Sequence, residues 1–347
     1  MQAVQLIYRA ELRSRWRSWL ALVLLVAVAG GVVMAAVAAG RRTSAAFPAY
    51  VARYGFNVDV FTTTALPTLD RLPGVESVAQ VPTYFPAAAA VGSRNVTQTS
   101  DFTMYGAPSA SSHAFLKLLS GRLPLASHPT EVLASFTLAQ QFGARVGSVI
   151  TMPMYSPAQS GFFSSGNTTV APEGPTLRLT VVGIEAFATD FPAGPPSYTI
   201  FAGPGFDRRF GRELLTARTY LVRLRSAADD SRFTEQAAHL AGRAVFYTQS
   251  ADAVDAAVQQ SIAPQVLGWE LLALLAALAA LAVLAQAFGR EARDQAEAYS
   301  ALRALGITPR ELFALGLLTT ASVSALGALG ATLLAWVLSP LTPVGLA

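Results

Sequence analysis

The chain has 347 residues, of which 52% are hydrophobic and only 13% charged, with a formal net charge of +4 and no cysteine. This balance is too apolar for an ordinary soluble enzyme, and the absence of thiols excludes a disulfide framework, thiolate metal sites and thiol catalysis. The basic excess lies mainly in Arg9, Arg13, Arg15 and Arg17 against Glu11, so it is not a nucleic-acid footprint.

In residues 1–17, Arg9, Arg13 and Arg17 fall at i, i+4 and i+8. That pattern suits an amphipathic helix on the inner leaflet, and equally a positive flank that only fixes topology. The uncharged run 18–40 follows and reads as a first transmembrane helix. It is longer than the roughly 7–15-residue core of a cleaved signal peptide, so an uncleaved anchor is expected despite Ala36-Val37-Ala38.

Residues 41–265 carry 17 Lys/Arg against 15 Asp/Glu and read as a mixed α+β domain with its own core. Alternation and β-branching predict strands at Phe56–Phe61, Val75–Val81, Thr130–Ala134, Ser148–Met152, Leu177–Ile184 and Thr219–Leu224. Helices are predicted at Leu66–Arg71, Ser135–Phe142 with Gly143 closing it, Phe233–Gly242 and Ala251–Gln260. The Ser/Gly/Pro/Thr-rich stretch 155–175 reads as a loop.

Two further apolar runs end the chain. Residues 266–289 form the second span, with Glu270 tolerated at its edge, and 312–338 form the third, leaving 339–347 as an outer tail. Each can cover a hydrocarbon core of roughly 30 Å. Trp16, Trp19, Trp269 and Trp336 stand at the ends of these spans, where indoles meet the headgroups. The fold class is therefore a membrane α-helical protein, three transmembrane helices with a large α+β domain between the first and second.

Orientation follows from arginine. Arg290, Arg293, Arg303 and Arg310 lie between the last two spans, and the tail after the third carries none. The linker 290–311 is then cytoplasmic and the α+β domain extracytoplasmic, in a multi-pass protein of the plasma membrane. Arg41, Arg42 and Arg53 weaken the same signal at the first span. In the third span Gly316, Thr320, Ser324, Ala328 and Thr332 recur every four residues, with Gly327 and Gly330 nearby, and predict a helix-packing face.

Catalytic chemistry is not legible. Lys117 is the only lysine and no glycine-rich turn precedes it, so the chain has no P-loop for ATP. His113, His128 and His239 lack metal-ligand spacing. Neither a catalytic set nor a metal or cofactor site is expected, and the chain reads as non-catalytic.

The linker holds the most informative pattern. Tyr299, Leu302 and Leu305 form an apolar edge on a short helix that Gly306 stops, and Thr308-Pro309 starts the next helix. A simple hairpin needs no apolar edge, so a docking element is expected. The segment Leu302-Arg303-Ala304-Leu305-Gly306 with Arg310 resembles the coupling loop of FtsX-like permeases. Gly40-Arg41-Arg42-Thr43 is similar to the exit from the first helix in actinobacterial members. In the outer domain, Leu72-Pro73-Gly74-Val75, Ser120-Gly121-Arg122-Leu123-Pro124, Thr130-Glu131-Val132-Leu133, Val146-Gly147-Ser148 and Leu179–Ile184 resemble the MacB-type periplasmic core in order.

The resemblance implies the membrane subunit of an ABC system of the mechanotransmission type. A separate cytoplasmic ATPase would bind ATP and Mg, and Tyr299, Leu302, Arg303, Leu305 and Gly306 would dock in its groove. Arg290 and Arg293 would steer it or meet anionic headgroups of membrane lipids. Export or extraction of a lipophilic compound, lipoprotein or peptide is the implied function. The alternative is a signalling or scaffold subunit that activates an extracytoplasmic partner such as a cell-wall hydrolase. The family has four helices per unit and this chain ends at Ala347 after three. The expectation is thus the N-terminal portion of a longer permease, or a chain completed by a second permease half or homodimer partner.

Overall fold

The computed structural model describes residues 8–9, 13, 16–96, 102–107, 115–161, 170–191, 197–242, 244, 246–304 and 307–339. In chain order the elements are α1 (Trp16–Tyr54), β1 (Val58–Thr62), β2 (Val75–Tyr84), β3 (Ala89–Val91), β4 (Arg94–Val96), β5 (Phe102–Tyr105), β6 (Leu116–Gly121) and β7 (Glu131–Ser135). There follow α2 (Phe136–Phe142), β8 (Val149–Pro153), β9 (Thr176–Phe187), β10 (Tyr198–Ala202), α3 (Pro204–Phe210) and β11 (Thr216–Leu224). The chain continues with α4 (Asp230–Ala241), β12 (Phe246–Ser250), α5 (Ala251–Ala304) and α6 (Pro309–Leu338). It divides into two compact units, one of Met1–Ala46 with Ile262–Ala347 and one of Phe47–Ser261.

The second unit is built on a sheet in the order β12-β1-β11-β2-β5-β10-β7-β9-β8-β3-β4, with β6 joined to β9 off that path. Among the described residues only the β5–β10 and β7–β9 pairs are parallel. Strand β9 organises the sheet. Its first half alternates exposed and buried side chains and pairs with β8, while its second half is almost wholly buried and pairs with β6 and β7. Helix α4 closes one end, placing Phe233 and Ala237 on Val58, Val60, Tyr220 and Val222 of β1 and β11. Ser135 caps α2 by accepting from the Leu138 N–H, and Gly143 ends it at φ 72°, as the sequence pattern foresees. The expected helix at Leu66–Arg71 is only a 3-10 turn over Leu69–Arg71, because Pro67 and Pro73 bracket the segment.

The first unit is helical, and α1, α5 and α6 each contain a stretch long and apolar enough to cross a bilayer. Helices α1 and α6 approach through glycines on both sides. A β-carbon at Gly30 would stand 3.0 Å from that of Ala331, one at Gly327 2.6 Å from that of Val26, and one at Gly330 2.7 Å from that of Ala27. Lipid tails are as apolar as leucine, so only such close backbone approach yields packing energy here. Trp19, Leu22 and Val323 add a small buried cluster, and Tyr8 bonds Ser322 at 2.7 Å.

The packing face of α6 differs from the sequence expectation. It runs through Leu312, Leu315, Thr319, Val323, Gly327 and Ala331. Of the predicted set Gly327 lies in it and Gly330 meets Ala27 at its edge; Gly316 is half-buried, and Thr320, Ser324, Ala328 and Thr332 are exposed. The expected stripe lies one position off because leucine and valine interleave with the glycines and carry the contact. The hydroxyls need no neighbouring helix, since Thr319 and Thr332 donate to Leu315 and Ala328 carbonyls at 2.9 Å within α6. Gly327→Leu should destabilise the chain by about 1–3 kcal/mol through overpacking against Val26, while Ser324→Leu should change little. Thermal unfolding of both variants in detergent micelles checks this; equal midpoints would contradict the assigned face.

Candidate functional site

The last residues of α1, 47–54, belong to the second unit and are anchored in it by aromatic packing. Phe47 is fully buried and meets Phe191 edge-on at 5.3 Å, and Tyr50 meets the same ring at 5.0 Å. Phe136, the first residue of α2, covers Phe191 from another side at 5.4 Å. The Tyr50 hydroxyl donates to the Ala186 carbonyl of β9 at 2.6 Å. Arg223 donates to the Gly55 carbonyl at 2.7 Å, closing the helix exit. Asn57 then ties both entry points of the unit together: its side chain accepts from Leu224 N–H and its carbonyl from Ala251 N–H, the first residue of α5. Val254 and Val258 bury the opening turns of α5 in the same unit.

Two carboxyls lie beneath the tyrosine. Glu185 and Asp190 are fully buried, and the Thr199 hydroxyl stands between them, 3.1 Å from Glu185 and in short contact with Asp190. Asp190 also accepts from Phe187 N–H at 2.8 Å, and one Glu185 oxygen has no partner among the described residues. Burial pushes Asp190 up to about 7. Burial, and then the neighbouring Asp190, pushes Glu185 well above the usual range. Two acids this close and this dry cannot both ionise at low cost, so the pair holds protons near neutral pH.

The motif pieces that are separate in sequence meet in space. Arg122 grips Glu131 at both oxygens, at 2.7 and 2.5 Å, and Leu125 N–H adds a third bond at 3.0 Å. The Arg122 guanidinium holds the Glu131 carboxyl down at about 2. A β-carbon at Gly183 would stand 2.7 Å from the Arg122 carbonyl oxygen, which explains why β9 carries glycine there.

In the linker, the expected separate short helix is instead a continuation of α5, which runs to Ala304. Residues 290–304 contain neither glycine nor proline and are rich in Ala, Arg, Glu and Gln, so nothing interrupts the hydrogen-bond ladder. Tyr299 and Leu302 lie on this helix, but their side chains fall outside the described set, as do Leu305 and Gly306 altogether. Arg290, Arg293 and Arg303 are exposed. Helix α6 restarts with a reciprocal cap: Thr308 Oγ1 accepts from Glu311 N–H, Glu311 accepts from Thr308 N–H at 3.0 Å, and Pro309 opens the first turn. Sequence reasoning missed the Phe47–Tyr50–Phe191 anchor and the acid pair, although Phe47 and Tyr50 at i and i+3 after an apolar span were a usable signal.

The acids make opposite contributions to stability with pH. Glu131 has a lowered pKa, so its contribution grows as pH rises from about 2 to 4.5. Asp190 and Glu185 have raised values, so their contribution is full below about 4 and declines as pH rises to 7 and beyond. Glu185→Gln should flatten the fall in unfolding midpoint between pH 4 and 8, measured on the full chain in micelles. Tyr50→Phe should lower the midpoint at every pH, by the equivalent of about 1 kcal/mol for one hydrogen bond.

The comparisons with known proteins bear on both ends of this arrangement. Residues 270–346 match the family model described as FtsX-like permease C-terminal. No curated protein matches the chain. Among solved structures, the periplasmic region of MacB from Actinobacillus actinomycetemcomitans is similar over 60% of this chain and 94% of its own, at 14% identity and a TM-score of 0.32. The extracellular domain of the noncanonic ABC-type transporter YknZ from Gram-positive bacteria is similar over 56% of this chain and 100% of its own, at 14% identity and a TM-score of 0.31. The matched stretch spans most of the second apolar run, the arginine-bearing linker and the third run, so this C-terminal part of the chain is similar to FtsX-like permeases.

Proposed function

We propose that this chain is the membrane subunit of a mechanotransmission ABC system, coupled to a separate cytoplasmic ATPase that binds ATP and Mg. The observation that carries the reading is α5 itself: one helix holds both the buried Val254 and Val258 and the linker residues 290–304. A hydrogen-bonded helix rises a fixed 1.5 Å or so per residue and does not shorten under load, so displacement at one end reaches the other. Pro264 in α5 and Pro48 in α1 each remove one rung of the ladder, giving each helix one place where it bends cheaply.

In this scheme Tyr299, Leu302, Arg303, Leu305 and Gly306 form the surface that the ATPase grips, and exposed Arg290 and Arg293 steer it or meet anionic lipid. The capped restart at Thr308 keeps the linker from unravelling into α6. Movement delivered to residues 47–54 and 251–261 then acts on the second unit through β9 and Asn57. Its work is the export or extraction of a lipophilic compound, lipoprotein or peptide, with a second permease half or a second copy completing the assembly.

Replacing both Leu302 and Leu305 with Asp should abolish co-purification with the partner ABC ATPase while leaving membrane insertion intact. Retained association in detergent would refute the docking surface. Cysteine labelling at Ser300 from the cytoplasmic side alone is the companion result; labelling from outside would overturn the whole scheme.

A further inference from the structure

A cavity of about 240 Å³ opens in the second unit, lined by residues of β1, β2, β5, β11 and β12 together with Thr189 and Ser197. It is smaller than the roughly 300–1,000 Å³ of pockets that take drug-sized ligands, so its occupant is a headgroup-sized moiety. Its lining combines aromatic rings, Phe61, Phe85, Tyr105 and Tyr247 among them, with a single carboxylate, Asp59. Phe61 and Phe85 meet edge to face at 6.2 Å, and Tyr247, 58% exposed, stands at the mouth.

Asp59 is the anomaly. It sits at the centre of a strand, only 7% exposed, and its carboxylate makes no hydrogen bond or ion pair among the described residues. Its register partners are Leu221 and Gln249, neither of which neutralises it. Arg218 pairs in register with Thr62 and therefore points to the opposite face of the sheet. Arg223 is committed to the Gly55 carbonyl. Tyr84 is committed to Asp207 at 2.7 Å, and the hydroxyls of Thr83 and Thr219 bond each other. A buried carboxylate without a partner is costly.

We propose that this cavity binds an organic ammonium group, from a small alkylamine or a lysine side chain, with Asp59 as its counter-ion and the rings of Phe61, Phe85 and Tyr247 as its walls. The chemistry selects that ligand class. Aromatic faces attract a cation that is only weakly hydrated, and one carboxylate supplies the charge and the hydrogen-bond acceptors an ammonium needs. A hard metal ion would demand several oxygen ligands at short range, which a mostly aromatic wall does not provide. Thr103, Ser197 and Gln249 supply further polar groups along the lining for the remaining ammonium protons. The inference does not depend on the coupling scheme above.

The test is calorimetric titration of the full chain in detergent micelles at pH 8 with n-butylammonium chloride and with N-acetyl-lysine methylamide, at constant ionic strength, against n-butanol as the neutral isostere. Saturable binding of an ammonium is expected and not of n-butanol; preference between the two ammonium probes identifies the source. Asp59→Asn should weaken that binding at least about ten-fold, and Tyr247→Ala about three-fold, the worth of one exposed cation–π contact. Burial alone pushes the empty Asp59 up to about 7, so at pH 8 Asp59→Asn should also raise the unfolding midpoint of the unliganded chain. No saturable ammonium binding, equal binding by Asp59→Asn, or a lower midpoint for that variant, which would mark a structural acid, would each overturn the proposal.

Discussion

The arrangement depends on how a membrane helix ends. A helix leaving a bilayer has four carbonyls without intrahelical partners and an apolar surface that has lost its lipid. Here residues 47–54 solve both problems inside a folded unit. Phe47 and Tyr50 exchange lipid for the Phe191 ring, the Val51 carbonyl accepts from Gly55 N–H, and Arg223 takes the Gly55 carbonyl. Tyr50 also fixes the helix rotationally, because its hydroxyl must reach one particular carbonyl, that of Ala186. Under the proposed coupling scheme, this anchor is what would keep a movement of α1 from sliding past the sheet.

Strand β9 makes that anchor effective. It is bonded to β6, β7 and β8, so under the proposed scheme a force delivered at Ala186 would spread over three neighbours in place of bending one edge. The Arg122–Glu131 clamp holds the ends of β6 and β7 together across β9, and Gly183 lets the Arg122 backbone pass at close range. In the first unit the corresponding rigidity comes from glycine, as Gly30 and Gly31 on α1 face Ala331 and Leu334 on α6. One unit is stiffened by a hydrogen-bonded sheet and the other by close helix approach, each the device its solvent permits.

Much of this was legible in the sequence where one physical signal dominated. Uncharged runs flanked by tryptophan marked the spans, and alternating residues marked β2, β7, β8, β9 and β11. Thr308-Pro309 and Ser135 with Gly143 marked helix ends, since a cap needs only local residues. Strands β3 and β4 were not legible because three residues carry no periodicity. The register of α6 was misjudged for a related reason: a small-residue rule counts glycine, serine and threonine alike, whereas the neighbouring helix contacts leucine, valine and glycine. The clamp between Arg122 and Glu131 and the pairing of Glu185 with Asp190 are contacts made by folding, which no spacing along the chain announces.

Four acids show how differently one sheet can treat a buried carboxyl. Glu131 is ionised and gripped by a guanidinium and a backbone amide, and the environment favours its charge. Glu185 and Asp190 take the other route: burial raises the proton affinity of both, and they share the Thr199 hydroxyl. Asp59 has neither arrangement. Among the described residues it has no arginine, hydroxyl or second acid bonded to it, and it borders a cavity lined by rings. Beside the cavity, Asp59 is the buried acid of this sheet whose carboxyl has no hydrogen-bond or ion-pair partner among the described residues, and the proposed ammonium site rests on that difference.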